Sequence, residues 1–162
     1  MISVRELCLV RQRFMIPKPT LKGLITKRLT DARVLLNNRR YSAAIYMSGY
    51  ALELALKYRI CRLMKFTGGF PENRPEFDFY YLDARKVLLR STIRELRDIR
   101  HHNLPVLLRY SGEQVNIELN FAVEWNYVKN WNPEMRYLNS IVTKQKAIDF
   151  LKFTRVIINE II

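Results

Sequence analysis

From Tyr41 to Phe66 the chain reads YSAAIYMSGYALELALKYRICRLMKF, 26 residues without a proline. Apolar side chains recur there at helical spacing in two stripes. One runs Ala44, Met47, Ala51, Leu54, Tyr58, Cys61, and the other Ile45, Leu52, Leu56, Ile60, Leu63. A helix lying on a surface needs one stripe; two predict a helix surrounded by partners. At ~1.5 Å per residue it would be ~39 Å long, enough for the spine of a small domain. Gly49 and the alanines keep its surface low where another helix can approach. Its polar exceptions, Glu53 and Lys57, stand four apart with the acid first, the favourable order for a helical ion pair at the edge of a buried face.

The flanking pattern supplies the neighbours. Pro19-Thr20 opens a predicted helix to about Asn38, with Leu21, Leu24, Ile25, Leu29, Ala32 and Leu36 inward. Asn37 to Arg40 breaks the pattern, which predicts an antiparallel hairpin. TGGFPENRPEF, residues 67–77, carries two glycines and two prolines and reads as a loop. The helical pattern resumes from Tyr80, and Thr92 with Glu95 forms a candidate capping box. A helix over 84–100 would align Lys86, Arg90, Arg94 and Arg97. After the turn at Ser111-Gly112, Glu113 to Lys129 reads as a third long helix, with Ile117, Phe121, Val128 and either Ala122 or Trp125 inward. Trp131 to Tyr137 is a connector built round Pro133.

A last helix from near Ser140 to the end carries the stripes Ala147, Phe150, Ile157, Ile161 and Ile148, Leu151, Ile158, Ile162. Strand-like alternation and internal repeats are absent from the sequence. The expectation is an all-α fold, an antiparallel up-down bundle of four to five helices. Residues 19–162 form one domain, and residues 1–18 a basic N-terminal arm with Val4, Leu7, Val10 and Phe14 at helical spacing before Pro17.

Composition narrows the function. A chain of 162 residues, 49% hydrophobic, can bury ~70% of the surface it exposes unfolded. No stretch approaches the ~18 uncharged apolar residues of a membrane span, and Arg5, Glu6, Arg11 and Arg13 interrupt any signal-peptide core. Cys8 and Cys61 with two histidines support neither a disulfide framework nor a zinc site. The expectation is therefore a cytoplasmic protein without metal, cofactor or membrane partner. Lys and Arg number 28 against 15 acids, net +13. Residues 1–40 alone hold ten bases and two acids, net +8. Such a surplus favours a polyanion, nucleic acid or nucleotide, over the other reading, an acidic protein docked on a structural module.

Phosphate-loop, GxSxG, HExxH and CxxC patterns do not occur. The side chains that titrate near neutrality are the adjacent His101 and His102. Arg97 precedes His102 by four intervening residues. In that pairing His102 would take a proton from a ribose 2′-OH while Arg97 stabilises phosphorane charge. In a binding role, His102 and Asn103 would hydrogen-bond a base, sugar or phosphate. Arg94, Arg97 and Arg136 would attract phosphates, and Tyr137 or Trp131 would stack. The structural alternatives are a helix-terminal backbone bond for His102, an exposed His101, and an aromatic connector capped by Arg136.

Three stretches together resemble the HEPN domain family. The first hairpin matches its second helix, small residues leading to Glu and Lys: Ala43, Ala44, Gly49, Ala51, Glu53, Lys57. His102 to Gly112, HNLPVLLRYSG, resembles the H-[DN]-L…SG stretch of one branch, similar to the C-terminal HEPN domain of sacsin. WNPEMRY resembles that branch's W-x-P-x-x-R-Y connector. The likeness covers residues 20–160. It implies a helical bundle, often a homodimer, that binds nucleotide or RNA, in some cases beside a nucleotidyltransferase in toxin–antitoxin or defence systems. It equally implies an alternative, a metal-independent RNase using an Arg-x4-6-His pair, here Arg97 and His102.

Overall fold

The computed structural model describes residues 15–83, 93–137 and 141–162. The amphipathic pattern of the N-terminal arm up to Phe14, the bases Lys86 and Arg90, Thr92, and the proposed helix start at Ser140 lie outside them. The protein is mostly helical, 74%, with seven α-helices and no β-strand among the described residues. They are α1 (Lys18–Asn37), α2 (Tyr41–Leu63), α3 (Arg74–Asp83), α4 (Leu104–Ser111), α5 (Gln114–Asn120), α6 (Ala122–Val128) and α7 (Lys144–Ile161). Single 3-10 turns cover Leu96–Asp98 and Pro133–Tyr137.

Helix α2 is the spine. Both of its predicted stripes contribute buried side chains, Ala44, Ala51, Leu54 and Cys61 from one and Ile45, Leu52, Leu56 and Ile60 from the other. It packs against α1, α4, α7 and the 133–137 turn. The α1–α2 link is three residues, and Arg39 takes a left-handed φ of 59° to reverse the chain. The low surface at Gly49 receives an indole rather than a helix: a Cβ there would overlap the Trp131 ring.

Four predicted elements differ. The stretch 67–77 is not wholly loop, because α3 starts at Arg74. Asn73 Oδ1 accepts the Glu76 N–H at 3.0 Å, while Glu76 accepts the Glu72 N–H and the Asn73 side chain at 2.7 and 2.6 Å. This reciprocal cap satisfies donors that a helix start leaves open, and Pro75 is tolerated in a first turn. Residues 93–100 are not α-helical. Glu95 is extended and caps a 3-10 turn reciprocally with Asp98, so Arg94 and Arg97 do not belong to a helical stripe. The third long helix breaks at Phe121 (φ −131°, ψ 35°) into α5 and α6. Trp125, not Ala122, is its fourth inward residue. Finally, α7 begins at Lys144 behind Thr143, whose hydroxyl accepts the Lys146 N–H.

The segment just before α1 is fastened by backbone. Ile16 and Phe70 exchange two hydrogen bonds, 3.3 and 3.0 Å, beside Gly69 at φ 141°, where a Cβ would strike the Ile16 carbonyl. Among the described residues no helix is long and apolar enough to cross a membrane.

Candidate ligand cleft at His102

The site begins with an acid buried on the spine. Glu53 is 1% exposed and Lys57 8%, so the pair lies inside the protein rather than at the edge of a buried face. Lys57 Nζ stands 3.0 Å from Glu53 Oε1 and 5.1 Å from the Phe70 ring centre. The carboxylate and the ring face together compensate an ammonium that would otherwise be costly to bury.

The second carboxylate oxygen reaches outward. Glu53 Oε2 lies 2.9 Å from His102 Nδ1 across 49 residues of sequence. With Glu53 Oε1 facing the Lys57 ammonium, Oε2 is placed to accept, and the His102 tautomer that completes this bond donates from Nδ1. That tautomer leaves Nε2 with its lone pair. The His102 side chain is 59% exposed at the other end of this chain of contacts. Its bond is therefore to a distant carboxylate, not to helix-end backbone.

His101 has the opposite role. Its Nδ1 accepts the Asn103 N–H at 3.1 Å, which places the proton on Nε2, 2.9 Å from the Asp98 carbonyl. The ring is half-buried, not an open surface side chain. Burial, ahead of the other influences, holds its pKa below the usual imidazole range. A neutral His101 stitches the 3-10 turn to the start of α4. Asn103 Oδ1 caps α4 by accepting the Val106 N–H at 3.1 Å. Gly112 ends that helix at φ 79°.

His101, His102, Asn103, Lys129, Trp131 and Asn132 are among the residues lining a cleft of about 530 Å³. A second cleft of about 360 Å³ shares Pro105, Lys129 and Asn130 with it and reaches Glu118 and Trp125. The larger volume suits a nucleotide-sized ligand. Lys129 donates to Asn126 Oδ1 at 2.6 Å. Trp131 is buried on Gly49 and is a wall rather than an open stacking face. Its indole N–H is buried with no acceptor among the described residues.

The remaining predicted residues lie elsewhere. Arg97 is 81% exposed and pairs with Glu95 at 2.8 Å; it does not line the cleft. Arg94 is exposed, and its backbone N–H caps onto Asp98 Oδ2 at 2.9 Å. Arg136 is exposed, donates to the Tyr46 hydroxyl at 3.4 Å and lies over the Tyr137 ring at 4.7 Å. Tyr137 is the open aromatic of the connector, though outside the cleft lining. Lys129, Asn130 and Asn132 were not marked by the sequence pattern. Their signal was only a polar run ending the third helix. Among the described residues there is no group of three His, Cys, Asp or Glu able to hold a metal ion. Compared with known proteins, the chain matches no family model, no characterised protein and no solved structure.

Proposed function

We propose that this chain is a nucleotide- or RNA-binding module of the HEPN type, whose ligand contact is His102. The observation that carries the reading is the run Lys57–Glu53–His102. It fixes an imidazole, by a buried carboxylate, at the wall of a cleft that also holds Lys129, Asn130 and Asn132. The Lys129 ammonium supplies charge for a phosphate, His102 Nε2 accepts from a sugar hydroxyl or base N–H, and the two amides supply further donors and acceptors for sugar or base. The net charge of +13 favours a polyanionic ligand for the chain as a whole, while the cleft lining itself holds one base, Lys129, and one acid, Glu134. A homodimeric up-down bundle acting beside a nucleotidyltransferase in a toxin–antitoxin or defence setting is the context that the sequence resemblance suggests.

The test is a thermal-shift and anisotropy titration with AMP, ATP, GTP and labelled single-stranded RNA. A bound ligand at 100 times its Kd stabilises by about 2.7 kcal/mol. His102→Ala should abolish the shift, each protein being read against its own ligand-free melting temperature because the substitution also removes the partner of Glu53 Oε2. Equal binding by the variant would sink the reading.

A second reading rests on the same bond. An imidazole whose Nδ1–H is held by a carboxylate presents Nε2 as a general base, the arrangement that ribose 2′-OH activation needs. Arg97 is turned to Glu95, so Lys129 would be the cation nearest the phosphate within the cleft. Incubation of labelled RNA in EDTA separates the two readings. Intact RNA favours binding; a 2′,3′-cyclic phosphate product, lost in His102→Ala, favours the RNase.

A further inference from the structure

The two clefts adjoin, and the chain runs past them in order. Ala122, Trp125 and Asn126 line the smaller cleft alone, Lys129 and Asn130 line both, and Asn132 lines the larger alone. Helical spacing is the reason. Positions 122, 125, 126 and 129 recur at three and four residues, so they share one face of α6 and its C-terminal end. Asn132 follows in the connector, after the helix has stopped. From α4 the same passage is made at Pro105, which lines both clefts, while His102 lines the larger alone.

The chemistry changes along this line. The smaller cleft takes apolar surface from Pro105, Ala122 and Trp125, and a carboxylate from Glu118. Glu118 Oε1 accepts from the Gln114 side chain at 3.1 Å, which leaves Oε2 for another donor. The larger cleft offers His102, the Asn132 amide and Glu134. Among the described residues lining either cleft, Lys129 is the one Lys or Arg, and it stands where the two meet. Asn126 Oδ1 takes one of its protons at 2.6 Å, which holds the ammonium there with two donors left. At about 530 and 360 Å³ each cleft exceeds the ~300 Å³ at which ligand pockets begin. Two hydrogen-bonding compartments therefore flank a single cation.

That order matches a ligand with one negative charge between two neutral hydrogen-bonding groups. A nucleoside triphosphate gathers its charge at one end, and a mononucleotide leaves the smaller cleft unused. We infer that the double cleft takes two successive nucleosides joined by one phosphodiester. The linkage is held at Lys129, one nucleoside lies beside His102, and the other packs on Pro105 and Trp125. Glu118 then accepts from a base N–H. This double site presupposes the nucleotide reading of the His102 cleft and adds to it the second compartment and the linkage. An internal step of single-stranded RNA and a free dinucleoside monophosphate share the chemistry.

The two tryptophans of the chain report the compartments separately, Trp131 the larger and Trp125 the smaller. The full-length chain carrying 5-fluorotryptophan is titrated under ¹⁹F NMR, its signals assigned with Trp125→Phe. The probes are the RNA 5′-mononucleotides, the dinucleoside monophosphates and a single-stranded RNA hexanucleotide. Mononucleotides should move the Trp131 signal. Dinucleoside monophosphates should move both signals and bind at least ~10-fold tighter, because the second contact is then intramolecular. Ala122 is exposed, so Ala122→Phe can plug the smaller cleft without entering the core. It should remove that gain and leave mononucleotide affinity unchanged. A hexanucleotide that outbinds the dinucleotides assigns the site to a strand; equal affinity assigns it to the free dinucleotide. Dinucleotides no tighter than mononucleotides, with the Trp125 signal unmoved, would overturn the double site and leave the His102 reading standing. A gain that survives Ala122→Phe would overturn it too, and no binding by any probe would overturn both.

Discussion

His102 and Arg97 lie five residues apart, yet the structure gives them opposite company. His102 is bound to Glu53, 49 residues away, through an acid that is 1% exposed and already paired with a buried lysine. Arg97 is bound to Glu95, two residues away, and its own side chain stands largely in water. The first arrangement is held by the packing of α2 against α4 and costs energy to break. The second is local, screened by solvent and worth ~0–1 kcal/mol. A titratable side chain near the surface therefore acquires a defined orientation when its partner is part of the core. A side chain paired with its sequence neighbour does not.

The difference can be broken from the buried end first. Glu53→Gln should leave the Lys57 ammonium uncompensated and release His102. The expected loss is about 3–5 kcal/mol, read from urea unfolding. Replacing Lys57 with Met in the same chain should recover part of it, because the unpaired buried charge is then gone.

Next comes the wall that shapes the cleft. Gly49→Ala should drive a methyl into the Trp131 indole and cost roughly 1–3 kcal/mol by overpacking. Trp131 fluorescence should change at the same time, since its ring must move. A silent spectrum with unchanged stability would mean that the connector does not rest on α2.

The paired histidines sharpen the comparison through pH. Burial holds His101 below the usual imidazole range, so the folded chain binds fewer protons there than the unfolded chain. Its contribution is fully present above an unfolded pKa of about 6.5 and is lost as pH falls from there through the lowered folded value. Melting temperature followed from neutral to mildly acidic pH should therefore fall less steeply in His101→Gln than in the wild type. The smallest effect belongs to Arg97→Ala, expected within about 0.5 kcal/mol of wild type and without influence on ligand affinity. A large loss of binding there would return Arg97 to the site.

The long helices were legible because their periodicity is strong: α1 and α2 lie within two residues of their predicted starts and three of their predicted ends, and α7 begins four residues late but runs to Ile161. What failed was local chemistry outweighed by composition. The Gly and Pro residues of 67–77 concealed the Asn73–Glu76 cap, whose spacing is itself a helix-start signal. Arg94 and Arg97 continued a basic period of four, but reciprocal capping by Glu95 and Asp98 favours a 3-10 turn over that helix. Of the candidate site, Glu53 was visible as an acid amid apolar neighbours, and His102 as one of two histidines. Their pairing was not visible, because nothing local in sequence relates position 53 to position 102. The same holds for Lys129, at the end of α6, and Asn132, in the connector, which meet His102 only in the folded cleft.

The most direct test of the Glu53–His102 anchor is the imidazole ¹⁵N spectrum of the labelled protein, with and without nucleotide, in wild type and Glu53→Gln. His102 should be Nδ1-protonated in the free wild type, and its Nε2 resonance should move on ligand addition. In Glu53→Gln the tautomer preference should be lost. An Nε2-protonated His102, or a spectrum that Glu53→Gln leaves unchanged, would contradict it.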